Sequence, residues 1–364
     1  MPKRQATALA LSLMCLAPAI ASADCPLGAE ADRLGGCWEP VSFDTEIDDL
    51  WAAISFDAET ALIISGYGDT QSHILDTQTL AMTTVASFPG RITRAPVATR
   101  LSDGRILLVG NDISAVYDRG SNSWQSPQPV EGARQLLVFP DGATELVSRR
   151  EYHNWFVQEF NEADGSWNQL GEPLDSTQSF DFETVVPLSD GDILLLGGYE
   201  MDSYSVAWRF DQDSNSWSEA AHLPEVRVDN EWLRTASGDV LVFGGNYRSF
   251  ECFGDEECDG EIVDDGAHDS VWRYLTESGV WEDAAPLAVS DKELSTAALS
   301  DGRVLVWGDH VQVFDPTLNA WQLLRQDVAL GTFPVPSGSG LLILRDVPGE
   351  SFSVTRWTPG GETT

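Results

Sequence analysis

Residues 182–217 read FETVVPLSDGDILLLGGYEMDSYSVAWRFDQDSNSW. The run from Phe182 to Leu188 has strand character. Ser189-Asp190-Gly191-Asp192 is a turn, in which Asp stabilises the bend locally and Gly accepts a positive φ. Ile193 to Leu196 is a wholly apolar run, suited to a buried strand and closed by Gly197-Gly198. Val206 to Phe210 alternates like a strand with one exposed face, Asp211 to Ser216 turns back, and Trp217 opens a fourth strand. This one stretch predicts four short antiparallel strands joined by tight turns.

Working outward, the seven-residue step from Phe210 to Trp217 recurs as Tyr117 to Trp124, Phe160 to Trp167, Tyr274 to Trp281 and Phe314 to Trp321. Leu75 to Met82 keeps the step with aliphatic residues, and Trp357 opens a further copy that has no partner downstream. Successive starts lie 42, 43, 50, 64, 40 and 43 residues apart. Periods of this size mark a repeat architecture. Four antiparallel strands per unit, without helical periodicity, describe one blade of a β-propeller. The turn and buried strand recur as Leu101-Ser102-Asp103-Gly104-Arg105 before Ile106 and as Leu299-Ser300-Asp301-Gly302-Arg303 before Val304. The expected fold is all-β, a seven-bladed propeller, with six and eight blades as alternatives.

With these motifs the chain resembles the kelch-repeat family, whose propeller is also seen in galactose-oxidase-like proteins. That family carries a glycine doublet after a hydrophobic strand, then spaced aromatics ending in Trp. Gly197-Gly198 and Gly244-Gly245 match in full, while Gly66, Gly110 and Gly308 keep one glycine each. Arg149-Arg150 and Arg345-Asp346 stand where both are lost. The resemblance spans most of residues 38–359 and speaks to fold more than to function, because the motif is structural. The last copy lacks a fourth strand, and Cys37-Trp38-Glu39-Pro40-Val41 reads as an orphan fourth strand with its Trp in place. The N-terminal strand is therefore expected to close the last blade, removing an open sheet edge.

Residues 1–23 read as a secretory signal peptide: Lys3 and Arg4, an apolar run from Ala8 to Ile20, and Ala21-Ser22-Ala23 as the cleavage site. A lipoprotein signal is the weaker alternative, because Met14 stands where a small residue should precede Cys15. The predicted location is the periplasm or the exterior of a bacterial cell. Cys25, Cys37, Cys252 and Cys258 then remain, an even number that implies disulfides, with Cys25–Cys37 and Cys252–Cys258 the favoured pairing. The predicted layout is a disulfide segment at 24–37 and the propeller at 38–361. Without Lys3 and Arg4, 19 of the 21 cationic residues face 58 acidic ones. Nucleic acid and anionic membranes are poor partners for such a field. No later segment is apolar enough to insert in a bilayer, and a monomer is expected.

The 64-residue interval contains an acidic insert, residues 246–269, read as a loop of the fifth blade pinned by Cys252–Cys258. Asp255, Glu257, Asp259 and Glu261 partly resemble a calcium loop, but Gly266 stands where the bidentate acid belongs. A solvated acidic loop and a calcium site are the two readings, and calcium is the one cofactor considered. Asp211-x-Asp213-x-Asn215 reads as a turn. Counting ten residues back from each turn glycine places Arg94, Asp181 and Lys292 at the start of inner strands, with Arg91, Arg134, Arg227 and Glu293 close by. These residues are candidates for ligand binding at the channel rim, where Arg forks would hold an anionic or carboxylate-bearing ligand. The alternative is that these arginines pair with acidic neighbours.

Catalytic signatures are absent: the sequence contains no Gly-x-Ser-x-Gly, His-Glu-x-x-His or phosphate loop. Copper radical oxidases with kelch propellers need a Tyr–Cys cross-link and two His ligands, whereas these cysteines read as disulfides. The function expected is a binding scaffold for a protein or glycan ligand. The alternative is a carbohydrate-active enzyme sited in the channel, such as a mutarotase or lyase, for which Glu231, Glu293 and Arg227 could serve.

Overall fold

The computed structural model describes residues 25–26, 29–33, 35–41, 47, 49–66, 70–111, 113–125, 127–139, 142–150, 154–175, 181–199, 204–227, 229–251, 261–326, 330–331, 333–345 and 352–359. The expected signal segment, Cys252, Cys258, Asp255, Glu257 and Asp259 lie outside them. Seven antiparallel sheets form the blades. Six take their strands in chain order from residues 50–85, 97–129, 133–175, 181–219, 231–283 and 295–325. First strands of neighbouring blades approach one another: Val97–Arg100 meets both Leu50–Ser55 and Ala133–Val138, which in turn meets Asp181–Pro187. These strands form the inner ring.

The seven-residue step of the sequence is a cross-strand pair. Tyr117 faces Trp124, Phe160 faces Trp167, Phe210 faces Trp217, Tyr274 faces Trp281, and Phe314 faces Trp321 across the third and fourth strands. Their ring centroids lie 4.9 to 5.1 Å apart. The turn between them is built the same way in most blades. Asp76, Asp118, Asp211 and Asp315 each accept backbone N–H groups two or three residues on. Five residues after the anchor the chain turns left-handed, at Leu80, Asn122, Gly165, Asn215, Gly279 and Asn319. Asn and Gly tolerate that conformation best, which is why they dominate the position.

The second strands are the buried ones: Ile106–Val109 and Val240–Phe243 are buried throughout. Their side chains alternate toward the two neighbouring blades, so hydrophobic clusters fill every junction around the ring. Leu62 and Ile64 meet Ile106 and Leu108 between the first and second blades. Ile63 meets Leu342 between the first and seventh. Burial between blades, rather than within one sheet, is what holds a propeller together.

In the seventh blade Phe333–Ser337, Gly340–Arg345 and Ser353–Thr358 are followed by Cys37–Val41, with Glu30–Ala31 added outside it. Trp38 faces Trp357, the same register as the other anchor pairs. The N-terminal strand thus closes the ring, as the orphan motif predicted. Two devices fasten it. Cys25 is disulfide-bonded to Cys37. The buried carboxylate of Asp32 accepts hydrogen bonds from Gly36 N at 2.8 Å and from Trp38 Nε1 and Trp357 Nε1, each at 3.0 Å.

The acidic insert differs from the loop expected. Asn246–Glu251 and Glu261–Ala267 pair as an antiparallel ribbon separate from the blade sheet. Tyr247, Phe250, Ile262 and Val263 supply strand propensity there, which a count of carboxylates overlooks.

Candidate functional site at the channel mouth

Where the glycine doublet gives way to Arg149-Arg150, a pocket of about 380 Å³ opens between the third, fourth and fifth blades. The third blade contributes Arg134 and Gln135 from its inner strand, Arg149 from the second strand and Trp155 from the third. The fourth blade contributes Phe182, Thr184 and Val185, and the fifth Asp229 and Asn230. Trp155 and Phe182 meet edge to face at 5.4 Å, and the Arg149 guanidinium lies 5.5 Å over the Trp155 ring. Among the described residues the buried Trp155 Nε1 has no acceptor. Thr184 Oγ1 donates to Asn230 Oδ1 at 2.9 Å, which leaves the Asn230 amide N–H groups for other acceptors. Asp229 receives Asn246 Nδ2 at 3.4 Å, tying the base of the acidic ribbon to the pocket.

Of the rim candidates, Arg134 lines the pocket, exposed on the inner strand of the third blade. Burial first, and then the positive charge of Arg94, hold the Arg134 guanidinium below its ordinary pKa. Among the described residues Arg134 has neither an ion pair nor a hydrogen-bond acceptor. Arg94 Nη2 donates to Asn111 O at 2.6 Å. Asn111 is fixed in turn by Thr93, through Asn111 Nδ2 to Thr93 Oγ1 at 2.7 Å and Thr93 N to Asn111 Oδ1 at 3.2 Å. Arg91 is exposed beside this turn, and Asp181 opens the inner strand of the fourth blade next to Phe182.

Arg227 has internal partners instead. Its side chain is fully buried and donates to Gly244 O, Ser270 O, Ser270 Oγ and Glu225 Oε2 at 2.6 to 3.1 Å. It clamps one glycine of the doublet and the base of the ribbon. His268 joins the same cluster, 3.5 Å from Glu225, and burial first, then Arg227, lowers its pKa. Lys292 and Glu293 belong to the sixth blade, beside buried Asp291, which receives the amides of Lys292, Asp309 and His310. Glu293 is exposed and left-handed at φ 50°. Glu261 lies in the acidic ribbon.

Sequence reasoning missed Trp155, Thr184 and Asn230 as pocket residues. A signal existed for the first. Trp155 stands five residues before the anchor Phe160, where five other blades hold Thr70, Asp112, Ser205, Asp269 and Asp309. The seventh blade, which has also lost its glycine doublet, holds Phe352 five residues before Trp357. An aromatic at that position thus goes with a lost doublet, and in the third blade the pair marks a rebuilt channel mouth. Glu231 opens the inner strand of the fifth blade directly after Asn230, and burial pushes its carboxyl up to about 7.

A family model described as "Kelch motif" matches residues 183–224, the unit that opens at the pocket. This chain is a seven-bladed propeller that carries a kelch motif in its fourth blade. No curated protein matches its sequence. Among solved structures the propeller is similar to a fungal alcohol oxidase of the AA5 family in complex with copper, at 13% identity and a TM-score of 0.61, over 86% of this chain and 75% of the oxidase. It is also similar to an oligogalacturonate lyase in complex with manganese, at 13% identity and a TM-score of 0.62, over 91% of this chain and 96% of the lyase. At such identity the likeness shows the fold alone. Among the described residues no three His, Cys, Asp or Glu side chains converge as metal ligands.

Proposed function

We propose that this kelch propeller is an exported binding scaffold whose channel-mouth pocket between blades three and five takes a carbohydrate or a segment of a protein. The observation that carries the reading is the rebuilding of the third blade at that mouth. Arg149 and Trp155 stand where five of the other blades keep at least one glycine and a Thr, Ser or Asp, and together with Phe182, Thr184 and Asn230 they frame a pocket of about 380 Å³. Concave sites with an apolar wall and a few convergent polar groups are the usual form of a ligand site. Export rests on the N-terminal charged and apolar run, and the Cys25–Cys37 disulfide is consistent with an oxidising compartment. The test is a thermal-shift panel of neutral sugars, sugar acids and short peptides against the protein and its Thr184→Ala and Asn230→Ala variants. A saturable shift weakened in both variants supports the reading. Shifts that neither variant alters would remove this pocket from the account.

A second reading, a carbohydrate-active enzyme sited in the channel, draws on Glu231. A carboxyl with a pKa near neutrality beside the pocket can donate or accept a proton at physiological pH. Turnover of a bound sugar that is abolished in Glu231→Gln, with binding retained, would favour catalysis. Bound sugar recovered unchanged would leave the scaffold reading in place.

A further inference from the structure

We propose that Arg227 is a positioning residue for the fifth-blade wall of the channel-mouth pocket. Its buried guanidinium ties the segment leading to Asp229 and Asn230 to both roots of the acidic ribbon, so that ribbon root and pocket wall keep one geometry. The inference rests on the channel-mouth reading and specifies what holds that wall in place. Arg227 Nη1 donates to Gly244 O, just before the ribbon strand Asn246–Glu251, and to Ser270 O, just after the strand Glu261–Ala267, both at 3.1 Å. Its Nη2 donates to Glu225 Oε2 at 2.6 Å and to Ser270 Oγ at 2.7 Å. Ser270 Oγ donates in turn to the same carboxylate oxygen. His268 Nε2 meets Val226 O at 3.1 Å, and Asn246 Nδ2 donates to Asp229 Oδ2 at 3.4 Å. Glu225, Val226, Arg227 and Asp229 thus each contact a root of the ribbon, and Asn230 follows them, bonded across to Thr184 of the fourth blade.

The other blades show what is particular here. Thr93, Arg227 and Asp291 each stand eleven residues before a turn glycine, Gly104, Gly238 and Gly302. Each fastens the segment before its inner strand to the connection between the second and third strands. Thr93 does so by neutral bonds with Asn111, and Asp291 by receiving the amides of Asp309 and His310. The fifth blade instead places a guanidinium there whose side chain has no exposure. Burying such a pair costs in desolvation about what the attraction returns, so it adds little net stability over neutral bonds. What the planar fork adds is direction, because it fixes several acceptors at set angles at once. The acceptors lie on both ribbon roots and on Glu225, so one group sets all three against each other. Asp229 then turns left-handed at φ 54° before Asn230 and the inner strand Glu231–Arg234. A shift of Arg227 is therefore passed on to Asn230 and its bond with Thr184.

Amide hydrogen exchange and the side-chain NH₂ resonances of Asn230 test this on the full chain, with no ligand added. Three variants are compared with the wild type: Arg227→Lys, Ser270→Ala, and replacement of residues 250–262 by a Gly-Ser turn. Arg227→Lys keeps the charge and loses the fork. Ser270→Ala keeps the guanidinium and removes one of its partners, so it decides the matter if Arg227→Lys fails to fold. Exchange in peptides spanning residues 225–234 should rise about tenfold in Arg227→Lys and severalfold in Ser270→Ala. The Asn230 resonances should move in both, while peptides from the second and sixth blades keep wild-type rates. The Gly-Ser variant retains both roots and should match the wild type throughout. Unchanged exchange and unmoved Asn230 resonances in the two substitutions overturn the proposal. A rise shared equally by all seven blades also overturns it, since Arg227 would then serve global stability alone. A Gly-Ser variant that loosens residues 225–234 overturns the role of the roots. Because no ligand enters, failure here is separate from failure of the pocket reading, which the thermal-shift panel decides.

Discussion

Asp32 shows how one side chain secures the closure of the ring. Its carboxylate collects the indole N–H groups of Trp38 and Trp357 and the amide of Gly36. Asp32→Ala would leave buried donors without acceptors, at a cost of about 3 kcal/mol in stability measured by urea unfolding. Trp38, only 1% exposed, should cost about 3–5 kcal/mol as Trp38→Ala. Losses below ~1 kcal/mol in both would mean that the N-terminal strand is not structural. Glu231 gives a pH signature. Its folded pKa of about 7 lies above its ordinary value of 4.5, so the folded state holds the proton more tightly. Stability from that group is complete below pH 4.5 and is lost as pH rises through about 7. Glu231→Gln should therefore flatten the decline between those values and stabilise the protein at pH 8 by roughly 2–3 kcal/mol. An unchanged slope would place the Glu231 carboxyl in water.

At the scale of elements, the blades were legible because one chemical constraint repeats. In most blades the cross-strand aromatic pair comes with an Asp or Asn that starts its turn and a left-handed residue that ends it, so Phe210, Asp211, Asn215 and Trp217 declare a whole hairpin. The ribbon from Asn246 to Ala267 was less legible. Its strands alternate weakly, and its carboxylates dominate any count. The pocket was hardest to foresee, since Arg134, Trp155, Thr184 and Asn230 are far apart in sequence and only the ring order of the blades brings them together. The count of ten residues back from the turn glycine found Arg94 and, nearby, Arg134, but it could not tell them from Arg227, whose partners come from other segments. Because the ribbon pairs with itself and not with the blade sheet, replacing residues 250–262 by a short Gly-Ser turn should change stability by less than about 1 kcal/mol. Thermal or urea unfolding checks this. A larger loss would mean that the ribbon braces the fifth blade.

For the whole molecule, hydrophobic clusters at the blade junctions and a disulfide-bonded N-terminal strand make a closed ring. The net charge of −37 sets a field that repels anions at long range. The thirteen tryptophans are spread over all seven blades, so their indole N–H resonances map a bound ligand around the ring. The most direct measurement is an indole ¹⁵N–¹H titration of the protein with the sugar or peptide that gives the largest thermal shift. The account predicts that Trp155 moves first and furthest, and that the movement is lost in Asn230→Ala. A still Trp155, with shifts at Trp281 or Trp321 instead, would place the ligand elsewhere and contradict the channel-mouth site.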